Sequence, residues 1–366
     1  MKLLIFAMGP GETSHAYALA RHFLTNGHQP ILALRQEVVY DFFKSIKPCP
    51  KVIFTINPDQ LRTAVKKIKP DGVVLCNSKT FNKTSFIENH PWPQVPTFTL
   101  DSNWLFDLEA PVYPFVNWVD KYFICLPPKV FELGFKKNGG YFEIPPEMEE
   151  KIEVVGLIPS YEKPSQREIS ATRKRLGVMN GEKLIFCYTS GYGAGSRSWV
   201  FDKLSLIIEE FINEEKKIKV VGIGRALNIK DKLKFPWLNL IEKGSINLDS
   251  FYLILASADL VFQHQGLATL AQAISARVPA IANVAMRKKH FYPDLHDGEV
   301  NPFARLNLCK LFHKSTPESI IKKAIEELLY KKEEIVKMQE AQGKAYNKGE
   351  SIIAQSIIKY VSEKNN

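Results

Sequence analysis

With 366 residues the chain is about twice the length of a typical single domain, so two cores are expected. Hydrophobic residues make up 45% of it, which excludes disorder for most of its length, and five scattered cysteines exclude both a disulfide framework and a metal clip. The formal charge of +10 suits phosphorylated ligands or anionic lipid, but the lysines fall in short groups such as "RKR" (173–175), "RKK" (287–289) and "YKKEE" (330–334) with acids interleaved. No zinc knuckle, recognition helix or single-strand-binding signature accompanies them, so nucleic acid is not expected as a partner.

The first predicted element is a buried strand in "KLLIFA" (2–7). The apolar opening "MKLLIFAM" lacks a small-residue cleavage site and runs into "GPGE", which argues against a signal peptide. No stretch approaches the roughly 18 to 20 apolar residues of a membrane span. Reduced cysteines and the missing leader predict a cytoplasmic protein, and the charge leaves peripheral contact with the inner face of a membrane open.

After that strand, Ala16, Leu19, Ala20 and Phe23 recur at helical spacing and Gly27 stops the run, with Thr13 or Ser14 as the expected cap. Further strands are predicted in "PILAL" (30–34), "KVIFTI" (51–56), "DGVVLC" (71–76), "PTFTL" (96–100) and "KYFICL" (121–126). Segment 151–166, "KIEVVGLIPSYEKPSQ", reads as a linker. A second series follows: "KLIFCYT" (183–189), "IKVVGI" (218–223), "LNLIE" (238–242), "ADLVFQ" (258–263) and "PAIANV" (279–284), each trailed by a loop and a helical pattern. Late in the chain, "STPESIIKKAIEELLYKKEEIVKMQEA" is helical, with Thr316 placed to cap and Pro317 at the first helical position. "ESIIAQSIIKYV" forms another amphipathic helix.

Alternating strands and helices predict an α/β chain of two tandem Rossmann-like domains whose parallel sheets face each other across a cleft. The expected boundaries are 1–155 and 156–345, with a C-terminal helix over 346–366 able to pack back on the N-terminal domain. Ligands of such folds bind beyond the carboxyl ends of the strands, so three strand-to-helix loops carry the functional reading.

In "AMGPGETSH" (7–15), Gly9 and Gly11 permit a tight turn, and His15 either serves as a general base or merely hydrogen-bonds its loop. The loop lacks the third glycine of a dinucleotide fingerprint, which disfavours a nicotinamide cofactor. "YTSGYGAGSRS" (188–198) offers backbone N–H groups to a phosphate or sugar but has no Walker pattern. In "FQHQGLATLAQAI" (262–274), His264 can reach a phosphate, Gly266 admits a diphosphate close to the backbone, and Thr269 stands with the N–H groups of a helix start.

"HQGLATLAQA" followed by "ARVPAI" resembles the donor motif of GT-B nucleotide-sugar glycosyltransferases, His-x-Gly-x-x-Ser/Thr-x-x-Glu-Ala and then Gly-x-Pro. "GETSHAYALARHFLTNGH" likewise resembles their first loop and helix, in the manner of the UDP-glycosyltransferases and the N-acetylglucosaminyltransferase of peptidoglycan synthesis. The resemblance implies that His264 holds the donor diphosphate with Gly266 and Thr269, that Ser190 and Gly191 contact nucleotide or phosphate, that Gly11 belongs to the binding loop, and that His15 is the base. It implies no metal and no separate cofactor, the nucleotide sugar being a substrate.

Three positions depart from the pattern. Gln272 replaces the glutamate that accepts ribose hydroxyls, and an amide accepts through one oxygen without charge assistance, a loss of about 1 to 2 kcal/mol. Segment 284–303 has no Asp-Gln pair, leaving Asp297, Glu299 and Asn301 as stand-ins beside Arg287, Lys288 and Lys289. Asn77 occupies the segment where relatives orient the base with an aspartate, and Asp101 is the nearest carboxylate.

The resulting expectation is an inverting, metal-independent glycosyltransferase that moves a sugar from a nucleotide donor, UDP-linked, to a hydroxyl acceptor (a glycan, lipid-linked sugar or small molecule). Aromatic residues in 103–118 either line the acceptor or pack the core. A non-catalytic nucleotide-sugar-binding subunit and a sugar-nucleotide epimerase are the alternatives.

Overall fold

The computed structural model describes residues 1–7, 10–34, 49–55, 58–76, 90–101, 118–134, 146–158, 163–189, 198–223, 238–241, 247–264, 266–284 and 300–365. They form two compact units, Met1–Ser160 with Asn347–Asn366, and Tyr161–Tyr346.

The first unit is built on a seven-stranded sheet of β1 (Lys2–Ala7), β2 (Gln29–Leu34), β3 (Lys51–Phe54), β4 (Gly72–Cys76), β5 (Thr97–Asp101), β6 (Lys121–Ile124) and β7 (Ile152–Val154). Every neighbouring pair is parallel and the order is β3-β2-β1-β4-β5-β6-β7. Central strands covered on both faces must be apolar throughout, and Leu3 to Ala7 and Gly72 to Cys76 are all buried. Gly72 allows the close approach of β1 and β5: a Cβ there would lie 3.0 Å from the Leu3 side chain and 3.3 Å from that of Phe98.

Helices α1 (Pro10–Thr25), α2 (Pro58–Ile68) and α3 (Pro128–Leu133) belong to this unit, with a 3₁₀ turn over Pro146–Lys151. Helix α1 begins a turn earlier than the cap residues imply, because Pro10, with its fixed φ and no N–H, opens it. Thr13 and Ser14 are therefore interior helical residues, and both are buried. Gly27, at φ +79°, follows the helix and turns the chain toward β2.

The second unit contains a parallel sheet of β8 (Lys183–Tyr188), β9 (Ile218–Ile223), β10 (Leu238–Ile241), β11 (Leu260–His264), β12 (Ala280–Val284) and β13 (Lys310–His313), ordered β10-β9-β8-β11-β12-β13. Its helices are α4 (Gln166–Arg175), α5 (Ser198–Asn213), α6 (Leu248–Ala256), α7 (Leu267–Ala276), α8 (Asn301–Arg305), α9 (Glu318–Tyr330) and α10 (Lys332–Ala345). Ser165 caps α4 in a reciprocal box: its hydroxyl accepts the Glu168 N–H, and the Glu168 carboxylate accepts the Ser165 N–H at 2.8 Å. Val200, Leu204, Ile207, Ile208 and Phe211 of α5 pack with Ile321, Ile325 and Leu328 of α9 against Leu260 and Phe262 of β11. Each such side chain contributes roughly 1.5 to 3 kcal/mol by leaving water.

The late helical stretch is two helices, because Lys331 is extended (φ −92°, ψ 101°) and breaks the run between α9 and α10. Thr316 does not cap α9. Its hydroxyl accepts the His313 N–H at 3.0 Å, and Pro317 occupies the cap position instead of the first helical one. The last helix, α11 (Gly349–Asn365), packs on α1 in the first unit. The Ser356 hydroxyl donates to Glu153 at 2.7 Å, Lys121 Nζ donates to the same oxygen at 3.0 Å, and the Tyr360 hydroxyl donates to Asp120.

Candidate functional site

A doubly wound sheet has one place where successive connections leave in opposite directions, and the crevice opened there lies beyond the strands' carboxyl ends. In the second unit that place lies between β8 and β11. His264 closes β11, with Asn283 of β12 beside it in register, while Gln263 pairs with Tyr188 on the other side. The Tyr188 and His264 rings meet edge-on, 6.1 Å between centroids.

Helix α7 begins immediately after this corner. Gly266 is its cap residue, extended at φ −91° and ψ 109°, with no side chain to satisfy the helix N–H groups and no acid in the first turn. The positive end of the helix is therefore uncompensated by its own sequence. A Cβ on Gly266 would come within 3.1 Å of the His264 ring, tighter than ordinary packing, so glycine is what keeps imidazole and backbone together here. The Gly266 N–H donates to the His264 carbonyl at 2.7 Å and closes the turn. Thr269 stands in the first turn of α7 and Gln272 in the second, both buried, and His264 is 9% exposed. A histidine beside uncapped N–H groups is an arrangement that receives an anion.

Two amides brace the same turn. Asn283 Nδ2 donates to the Gln263 carbonyl at 2.9 Å, and Gln263 Nε2 lies 3.4 Å from the Gly266 carbonyl. At the far end of α7, Arg277 adopts φ +55°, where the related motif has glycine. Gln339 Nε2 donates to its carbonyl at 3.0 Å, which helps hold that strained residue.

In the first unit the reversal lies between β1 and β4. His15 is in the second turn of α1, which leaves β1, and is 4% exposed. Burial pushes its pKa down to about 4, so the ring is neutral at physiological pH. Asp101 closes β5 and is buried, and its carbonyl accepts the Cys125 N–H at 2.8 Å. Burial raises the pKa of Cys76 and Cys125, with a smaller contribution from the Asp101 charge. Among the described residues no three of His, Cys, Asp and Glu gather where they could hold a metal ion.

No protein-family model and no curated protein matches the sequence. Solved structures do. S. aureus MnaA, in a structure with UDP, is similar at a TM-score of 0.67 and 15% identity, over 99% of this chain and 97% of that one. A UDP-GlcNAc 2-epimerase from Neisseria meningitidis, bound to UDP-GlcNAc, is similar at a TM-score of 0.62 and 14% identity, over 98% of this chain and all of that one. The glycosyltransferase SnogD from Streptomyces nogalater is similar at a TM-score of 0.66 and 14% identity, over 99% of both chains. The chain has the GT-B fold.

Within this GT-B chain, His264, Gly266, Thr269 and Gln272 fall together at the β11–α7 corner, while His15 and the backbone of Gly11 fall in the first half of α1. Ser190, Gly191, Asn77, Asp297, Glu299, Arg287, Lys288, Lys289 and the aromatic residues of 103–117 lie outside the described residues. Asn301 opens the short helix α8. Sequence reasoning passed over Thr189, Gln263 and Asn283, which lie at the carboxyl ends of three adjacent strands and are almost fully buried. The available signal was a polar residue ending an otherwise apolar parallel strand, as in "LVFQH" and "AIANV".

Proposed function

We propose that the protein is an inverting, metal-independent glycosyltransferase that uses a nucleotide-sugar donor, UDP-linked, and a hydroxyl acceptor. The observation that carries this reading is the β11–α7 corner: a histidine, a close-approach glycine and an uncapped helix N-terminus at the switch point of a parallel sheet. In the proposed reaction the second unit holds the donor diphosphate with His264, Gly266 and the first turn of α7, with Thr269 in support and Gln272 toward the ribose. Ser190 and Gly191 belong to the same donor group.

His15 accepts the proton of the acceptor hydroxyl as its oxygen bonds to the anomeric carbon, and the bond from that carbon to the phosphate oxygen breaks. The nucleoside diphosphate leaves with both bonding electrons, and the dipoles at α7 stabilise its charge. A pKa of about 4 makes His15 a weak base in the ground state. It takes the proton once bond formation has made the hydroxyl acidic.

A second reading is favoured by the likeness to structures of UDP-GlcNAc 2-epimerases: chemistry on the donor alone, without an acceptor. Thermal shift across a panel of nucleotide sugars identifies the donor, since a ligand at 100 times its Kd adds about 2.7 kcal/mol. Incubating the hit with and without sugar and lipid acceptors, followed by proton NMR, separates the readings. Transfer that needs an acceptor and disappears in His15→Ala supports the glycosyltransferase, and product from the donor alone supports the epimerase. Donor binding with neither product identifies a binding subunit. Stabilisation by nicotinamide nucleotides only would contradict all three.

A further inference from the structure

We infer that Asn283 is a positioning residue for the diphosphate corner, with Gln263 acting beside it; this rests on the nucleotide-binding reading above. Neither residue is explained by packing. Asn283 and Gln263 are 1% and 0% exposed, and both stand in strands whose other interior positions are apolar. Burying an amide there is unfavourable unless its hydrogen bonds are met.

Only some of them are met among the described residues. Asn283 Nδ2 is fixed on the Gln263 main-chain carbonyl at 2.9 Å. Gln263 Nε2 points at the Gly266 carbonyl from 3.4 Å, the outer limit of a hydrogen bond. Among the described residues, the oxygens Asn283 Oδ1 and Gln263 Oε1 are buried with no partner, as is Thr189 Oγ1 on the opposite flank of β11. An orphaned buried acceptor is destabilising, and leucine or methionine would fill the same volume without that cost.

What the amides do accomplish is directional. Their donors fall on the carbonyls of Gln263 and Gly266, which bracket His264, and the turn between those carbonyls is closed by the Gly266 N–H on the His264 carbonyl. The register puts Asn283 directly beside His264. The pair thus sets the direction in which the histidine and the first N–H groups of α7 are presented. An anion feels that direction through short, oriented hydrogen bonds, whereas a neutral nucleoside does not.

The test compares UDP and uridine as ligands of wild-type protein and Asn283→Leu by ligand-observed NMR, with melting temperatures measured alongside. The expected result is UDP binding weakened about five- to ten-fold, uridine binding unchanged and a melting temperature equal to or above that of wild type. Unchanged UDP binding, or equal losses for UDP and uridine, would overturn the assignment. Should Asn283→Leu not fold, Gln263→Met, which keeps volume and removes the contact to Gly266, is read by the same comparison. Wild-type protein that binds no UDP brings down the nucleotide reading itself, and this assignment with it, before any variant is compared.

Discussion

His15 sits almost entirely out of water, and burial holds its pKa at about 4 against 6.5 for an exposed ring. Between those two values the unfolded chain binds a proton that the folded chain does not. The stability that comes from keeping the ring neutral is therefore fully present above pH 6.5, declines as the pH falls through the window, and is gone below about pH 4. The gap is worth about 3 kcal/mol. In His15→Leu this contribution is absent, because leucine binds no proton in either state. Urea unfolding of both proteins at about pH 7.5 and about pH 4 measures it. The lowered pKa values of His22, His28 and His90 act in both proteins alike, so the difference between the two pH dependences isolates His15. Wild type should lose about 3 kcal/mol more than the variant over that interval. Coincident pH dependences would refute the premise of a desolvated, neutral ring and with it the state proposed for the base.

Three further substitutions have defined outcomes. His264→Ala should weaken UDP about 10- to 100-fold in titration calorimetry, the loss of a hydrogen bond to a charged group. Gln272→Glu should tighten UDP about ten-fold by calorimetry while lowering the melting temperature of the ligand-free protein, since a carboxylate at this buried position is taken out of water. Arg173→Met should cost about 2 kcal/mol in urea unfolding. Its guanidinium ties α4 to the Ser257 and Glu182 carbonyls and to Asp259 Oδ2, each at 2.9 Å, and Asp259 also receives the Leu184 N–H at the start of β8.

The strands read most closely in the sequence are central and mostly apolar: β1 and β9 match their predicted spans, and β11 differs only in starting two residues later and including His264. The strands that could not be read are two of the four edges, β7 and β13, whereas the edges β3 and β10 start where predicted. β7 has three half-buried residues and β13 four, too short and too mixed for a periodic signal, and "IEV" lies in a segment whose Gly, Pro and Ser content suggests a linker. The break at Lys331 was hidden because apolar residues on either side keep helical spacing through it. The strand-to-helix junction that carries His264, Gly266 and Thr269 was legible because the three lie within six residues of one another. Asn283 was not, since its role depends on parallel register with a strand 20 residues away.

A crystal structure of the protein with UDP tests the central claim most directly. The account predicts diphosphate oxygens about 2.7 to 3.2 Å from the His264 ring and from N–H groups in the first turn of α7. Nucleotide bound elsewhere, with the β11–α7 turn unchanged and free of phosphate, would contradict it.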